Sequence, residues 1–171
     1  IISISLRKKV KPKLDFNLKL VKLKREKPQF KNLKYKKILS YLSKMDNSKS
    51  DIALVSNKKI LETGTSNLLF VKNQKFFTPK KDYYEGNTYK FFKTKIKRIG
   101  KKDILLKELN DYDEILLIGS GKGVTSVRTI NELNWKRKNL NKFKFLSNQY
   151  NAAINECDPY RFWQKEIINR L

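Results

Sequence analysis

Residues 61–73 read Leu61-Glu62-Thr63-Gly64-Thr65-Ser66-Asn67-Leu68-Leu69-Phe70-Val71-Lys72-Asn73, and the run closes a few positions later at Thr78-Pro79. The block 67–72 is short, apolar and bounded by polar residues, the pattern of a buried strand. Asn73-Gln74 supplies a turn that returns the chain through Phe76-Phe77 as a hairpin. Upstream, Asp51-Ile52-Ala53-Leu54-Val55-Ser56 reads as another short buried strand. Ile38, Leu39, Leu42 and Met45, following Tyr35, fall at the spacing of an amphipathic helix. Leu14, Phe16, Leu18 and Leu20 alternate with polar residues as in a half-buried strand, and Ile2, Ile4 and Leu6 suggest an earlier one.

Downstream, Gly86-Asn87-Thr88 precedes Tyr89, Phe92, Ile96 and Ile99, which predicts a helix with Gly100 just past its end. Residues 105–109 read as a short helix and 114–118 as a dense apolar strand running into Gly119-Ser120-Gly121-Lys122-Gly123. Residues 124–130 read as extended. Phe143, Leu146, Tyr150, Ala153 and Ile154 mark a C-terminal helix, with a last one after Pro159. The order is mixed α and β, with no internal repeat.

Composition narrows the chemistry. The 171 residues include no His and a single Cys, Cys157. That removes Ser-His catalysis, disulfide scaffolds and Cys-clustered zinc or iron–sulfur centres. A 39% apolar and 12% aromatic content is enough for a packed core. No apolar stretch approaches the ~20 residues needed to span a bilayer, and the opening segment is too short and too alternating for a signal-peptide core. It does not begin with Met, and an incomplete chain is expected.

Forty Lys and Arg against 16 Asp and Glu give a formal charge of +24, which raises a nucleic-acid partner as a reading to test. The cations run along the whole chain instead of clustering. They accompany many Asn, Ile, Phe and Tyr, a set encoded by A- and T-rich codons. With no helix-turn-helix, RNP or zinc-finger pattern, a solvated basic surface is favoured over a nucleic-acid partner.

Two segments could meet an anion. The loop 119–123 follows a buried strand and offers three glycines whose amides can approach a ligand closely, although it lacks the P-loop ending and the full dinucleotide pattern. Gly86-Asn87-Thr88 at a helix start presents unpaired amides. Taken alone, each reads more readily as an ordinary turn or cap, and neither names a ligand.

The motifs taken together do. The run 62–73 resembles the E-x-x-[ST]-[ST]-N-aliphatic-aliphatic-[FW]-x-[VR]-K-[ND] segment of the class IV, fold type IV pyridoxal-phosphate enzymes, which include aminodeoxychorismate lyase, branched-chain aminotransferase and D-amino-acid aminotransferase. Lys31-Asn32-Leu33-Lys34-Tyr35 is similar to the family's K-T-L-N-Y segment. Its lysine falls 31 positions before Glu62, close to the family's spacing of about thirty. Gly86-Asn87-Thr88 matches the G-[IV]-T helix start, and 118–124 matches the second phosphate loop. The resemblance covers roughly residues 24–156.

That resemblance implies a two-domain α/β enzyme, α and β mixed. This chain would supply the large C-terminal domain with its barrel-like sheet (31–171), an interdomain linker (24–30) made polar and interrupted by Pro28, and the remnant of a truncated small N-terminal domain (1–23). The implied cofactor is pyridoxal 5'-phosphate. Lys31 would form the Schiff base and move the proton at the amine-bearing carbon, which requires a free amine and hence a lowered pKa. Glu62 would face the pyridine nitrogen and keep it protonated. Tyr35 would orient the ring hydroxyl, Asn87 with Thr88 and Ser120 with Gly121 would hold the phosphate, and Asn67 joins the cofactor-binding set. The family's phosphate-binding Arg from the small domain has no counterpart.

The continuation Lys122-Gly123-Val124-Thr125-Ser126-Val127, then Ile130 and Asn134-Trp135, looks more like aminodeoxychorismate lyase than branched-chain aminotransferase. A lyase would convert 4-amino-4-deoxychorismate to 4-aminobenzoate and pyruvate, a step of folate biosynthesis. A branched-chain or D-amino-acid aminotransferase using the same Lys31 and Glu62 is the alternative, and a basic nucleic-acid-binding module is the outsider. The resemblance also implies a cytoplasmic homodimer acting on a small molecule, either aminodeoxychorismate or an amino acid.

Overall fold

The computed structural model describes residues 11–30 and 35–156. Within them the chain forms strand β1 (Phe16–Lys22), helix α1 (Lys36–Leu42) and four strands, β2 (Ser50–Ser56), β3 (Lys59–Thr63), β4 (Asn67–Lys72) and β5 (Lys75–Pro79). Helix α2 (Asn87–Lys95), strands β6 (Ile99–Lys102) and β7 (Ile104–Leu105), and a 3-10 turn at Leu106–Asp111 follow. Strands β8 (Glu114–Gly119) and β9 (Gly123–Ile130) precede a 3-10 turn at Asn131–Leu133, strand β10 (Trp135–Lys136) and helix α3 (Asn141–Glu156). The predicted strand at residues 2–6, the helix after Pro159, and Lys31 lie outside the described residues. No described helix is long and apolar enough to cross a membrane.

The strands form one mixed sheet in the order β6-β5-β4-β8-β9-β1-β2-β3-β7, with β10 added on β9. Four strands separate β3 from β4 in that order, so a flat sheet would hold them about 24 Å apart at roughly 4.8 Å per step. Residues 64–66 alone join them in sequence, a link that spans at most about 14 Å. The sheet must therefore curl until β3 and β4 come together, and the Thr63 amide donates to the Ser66 carbonyl at 3.0 Å across the closed turn. The barrel-like sheet that the family resemblance implies is thus required by the connectivity.

Alternation along the strands fills both faces of the curl. Ala53 and Val55 of β2, Leu68 and Phe70 of β4, and Ile115 and Leu117 of β8 share one buried cluster with Phe16, Val127, Ile130 and Trp135. Their neighbours point the other way. Leu69, Val71, Leu116 and Ile118 pack beneath Tyr89 and Phe92 of α2 and Leu146 of α3, while Ile52 and Leu54 pack beneath Ile38 and Leu42 of α1. A strand buried on both faces reads as a continuous apolar run, which is why 52–55, 68–71 and 115–118 lack a period-2 signature.

Several local readings are corrected. The helix predicted from Tyr89 to Ile99 stops at Lys95; Ile96 is already extended, and Ile99 and Gly100 pair in parallel with Phe76 and Phe77 of β5. Gly100 is therefore a strand residue and not a helix terminator. A Cβ there would lie 2.8 Å from Cδ1 of Phe77, so the aromatic ring occupies the space a side chain would need. Met45 falls beyond α1, and Leu14 is exposed ahead of β1. Strand β3 went unread because Lys59–Thr63 carries only two adjacent apolar residues, Ile60 and Leu61, between polar ones; its hairpin with β2 turns on Asn57 and Lys58, at φ 50° and 59°. Strand β1, ascribed in sequence to the remnant of a smaller domain, pairs in parallel with both β2 and β9 inside this sheet.

Candidate active site

Closure of β3 onto β4 places three chain segments around one cavity of about 310 Å³. Glu62 enters from the end of β3, Thr65 and Ser66 from the turn that follows, Asn87 and Thr88 from the start of α2, and Gly119 and Ser120 from the end of β8. Arg25, Phe30, Tyr35 and residues of α1 complete the wall.

Each contributor is held by its own bonding. Asn67, the first residue of β4, lies behind the wall: its side-chain amide donates to the Tyr84 carbonyl at 2.6 Å, and its oxygen accepts the Gly86 amide at 3.0 Å. These two bonds aim the segment 84–86 so that α2 begins at the cavity, with Thr88 buried there. The Thr63 hydroxyl accepts the amides of Thr65 and Ser66 at 3.2 and 2.8 Å, which shapes the opposite turn. A Cβ on Gly119 would lie 2.7 Å from Ser66 Oγ and 3.3 Å from the Thr65 carbonyl, so the absence of a side chain lets the end of β8 lie flush against that turn.

Glu62 is the charged centre of the site. Its Oε1 accepts from Arg25 Nε at 2.8 Å and its Oε2 from the Tyr84 amide at 3.4 Å, with the two side chains only 4% and 11% exposed. Burial pushes the Glu62 carboxyl above its usual range, and the Arg25 charge and the two hydrogen bonds oppose that without cancelling it. The Arg25 guanidinium also stands 5.3 Å from the centre of the Tyr35 ring.

Of the residues singled out in sequence, Tyr35, Glu62, Asn87, Thr88 and Ser120 line the cavity, Asn67 supports it from behind, and Gly121 is not in its lining. Lys31 lies outside the described residues, but Phe30 and Tyr35 on either side of that gap both line the cavity. Arg25 was missed. Its surroundings, Lys24-Arg25-Glu26-Lys27-Pro28, read as a solvated linker, and the one hint was a guanidinium among ammonium groups, since Arg is the preferred partner for a buried carboxylate. Tyr84, which contributes through its backbone, left no signal in the sequence.

The lining offers groups of two kinds. Ser120, Thr88 and the first amides of α2 offer hydrogen-bond donors and a partial positive charge suited to an anion such as phosphate. Glu62 offers an oxygen acceptor suited to a protonated ring nitrogen, and among the described residues its Oε2 carries only the one long bond from the Tyr84 amide.

The family model described as amino-transferase class IV matches residues 4–130. No curated protein matches the chain significantly in sequence. Among solved structures, a branched-chain amino acid aminotransferase from Thermobaculum terrenum in its PLP form superposes with a TM-score of 0.70 at 18% identity, covering 87% of this chain and 54% of its own. A branched-chain aminotransferase from Thermoproteus uzoniensis gives 0.69 at 16%, covering 82% and 52%. A 4-amino-4-deoxychorismate lyase from Pseudomonas aeruginosa gives 0.64 at 15%, covering 84% and 55%. At these identities the likeness is one of fold, and the chain spans little more than half the length of such proteins.

Proposed function

The chain belongs to the class IV aminotransferase family, whose enzymes depend on pyridoxal phosphate, and from that premise we propose that the cavity holds this cofactor and that the whole protein is a 4-amino-4-deoxychorismate lyase. The observation that carries the cofactor reading is the sharing of one cavity by Glu62, by the paired donors Thr88 and Ser120, and by Phe30 and Tyr35 bracketing Lys31. Bound there, the cofactor supplies an aldehyde for covalent capture of an amine and a ring that accepts electrons from the adjacent carbon.

The protein's own groups do the rest. Thr88, Asn87 and Ser120 would bind the phosphate, with Gly121 offering an amide beside them. Glu62 would hold the proton at the ring nitrogen, and Arg25 favours the ionised carboxylate that this task needs. Tyr35 would orient the ring hydroxyl. Lys31 would carry the aldehyde and then move a proton at the substrate carbon next to the captured nitrogen. For the lyase, Lys31 would remove that proton as pyruvate leaves and the ring becomes aromatic; for a transaminase, Lys31 would instead pass the proton on, and a keto acid would leave.

Support for the lyase over the branched-chain or D-amino-acid aminotransferase comes from the sequence of loop 119–123 and its continuation. Trp135, part of that continuation, is buried in the core with its Nε1 donating to the Tyr112 carbonyl at 3.2 Å. It therefore serves packing, and the lyase reading rests on the loop. The proposal includes a cytoplasmic homodimer, as in the family resemblance. The test is to reduce the complete protein with borohydride in the presence of pyridoxal phosphate and to map the modified residue. Labelling at Lys31 with pyruvate release from aminodeoxychorismate supports both parts. Labelling without pyruvate, but with 2-oxoglutarate-dependent turnover of Leu, Ile or Val, moves the enzyme to the transaminases, and absence of labelling at Lys31 ends the cofactor assignment.

A further inference from the structure

Asp51, early in β2, is fully buried and has no role in the chemistry just described. Its Oδ1 accepts the Ile52 amide at 2.8 Å. Its Oδ2 is met by the Thr65 hydroxyl at 2.5 Å, the Thr63 hydroxyl at 3.2 Å and the Lys122 ammonium at 3.1 Å. Lys122 is nearly as deeply buried, with its side chain 6% exposed and its ammonium 5.0 Å from the centre of the Phe16 ring.

Two of the segments that wall the cavity meet at this carboxylate. Thr65 belongs to the turn that forms one of them, and Lys122 belongs to the loop whose first residues, Gly119 and Ser120, line the cavity from another side. Lys122 itself does not line the cavity. Its amide closes the loop onto the Gly119 carbonyl at 3.3 Å while its side chain anchors that loop to Asp51. A buried ion pair adds little net stability over an apolar pair of the same shape, whereas it does fix which groups sit opposite one another. A cation already neutralised by Asp51 also contributes little direct attraction to a ligand.

We propose that Asp51 and Lys122 are positioning residues that clamp loop 119–123 against turn 63–66 and so set Ser120 at the distance from Thr88 that a phosphate group requires. The proposal rests on the phosphate reading given above and adds a residue pair that never touches the ligand.

The experiment compares binding of pyridoxal phosphate with that of pyridoxal, which lacks the phosphate, to the complete protein by cofactor absorbance. The variants are Lys122→Met, Lys122→Arg and the double change Asp51→Asn with Lys122→Met. Lys122→Met is expected to weaken pyridoxal phosphate binding by about tenfold or more, the scale of one lost hydrogen bond to a charged group, while pyridoxal binding changes less than about twofold. Lys122→Arg, which keeps a donor and a charge, restores most of the preference. The double variant leaves no unpaired buried charge and so stays foldable should Lys122→Met unfold; it shows the same loss of preference and faster amide exchange at residues 119–123. Retention of the full preference in the double variant, or equal weakening of both ligands, would overturn the clamp. A wild-type protein that binds both ligands equally would overturn the phosphate reading beneath it.

Discussion

Arg25 Nε donates to Glu62 Oε1 at 2.8 Å, joining a segment that reads as linker to the acid of the family motif. Burial favours the neutral carboxyl and Arg25 favours the charged one, with burial prevailing. A folded-state pKa above the unfolded value means that Glu62 contributes stability below the ordinary carboxylate range and loses it as pH rises through the folded value. Arg25 is the group that stabilises the ionised form when it is present.

Removing that partner should expose the cost. Arg25→Gln is expected to destabilise the fold by about 3 kcal/mol near pH 7, the scale for breaking a buried pair. The deficit should shrink as pH falls and Glu62 takes up its proton. Urea unfolding of wild type and variant at pH 7 and pH 5 checks this; a deficit that is the same at both pH values would contradict it.

Glu114, buried at the start of β8, accepts the amides of Lys142 and Phe143 at 2.8 and 2.9 Å and so caps the N-terminus of α3 from a distant strand. Glu114→Ala should cost about 1–2 kcal/mol, the range for a lost helix cap. Amide exchange at 142 and 143 should accelerate first. Burial also raises the Glu114 pKa despite these two bonds, so Glu114→Gln should flatten the pH dependence of stability while costing less than the alanine.

Two glycines of the same loop should respond differently. Gly119→Ala forces Ser66 aside and presses on the Thr65 carbonyl, with an expected cost of about 1 kcal/mol or more and weaker cofactor binding. Gly121→Ala meets nothing within 4 Å and should leave the melting temperature within experimental error. Thermal denaturation of the two variants side by side settles the comparison.

Thr88→Val keeps the volume and removes a hydroxyl donor at the proposed phosphate end. Pyridoxal phosphate affinity should fall by about tenfold, equivalent to ~1.4 kcal/mol, with little change in melting temperature in the absence of cofactor. Equilibrium titration followed by absorbance provides the measurement.

Much of this was legible in the residues. The strands at 51–56, 67–72 and 114–118 announce themselves because chains buried on both faces must be apolar throughout, and the hairpin at Asn73-Gln74 follows from residues that tolerate positive φ. The motif positions Tyr35, Glu62, Asn87, Thr88 and Ser120 are identifiable from the residues alone, and all five line one cavity. Strand β6 was not legible, since four residues with one glycine carry no period of their own and pair only because β5 offers an edge.

The sequence by itself determined which short runs are buried and marked the side chains to which the chemistry is assigned in the proposal, because side-chain type and local spacing act over a few residues. Tertiary structure alone decided that Arg25 meets Glu62, that Lys122 reaches Asp51 across 71 positions of chain, and that Gly100 belongs to a strand. Such pairings form when a sheet curls and closes, and the burial that makes them favourable exists only after distant segments have excluded water together.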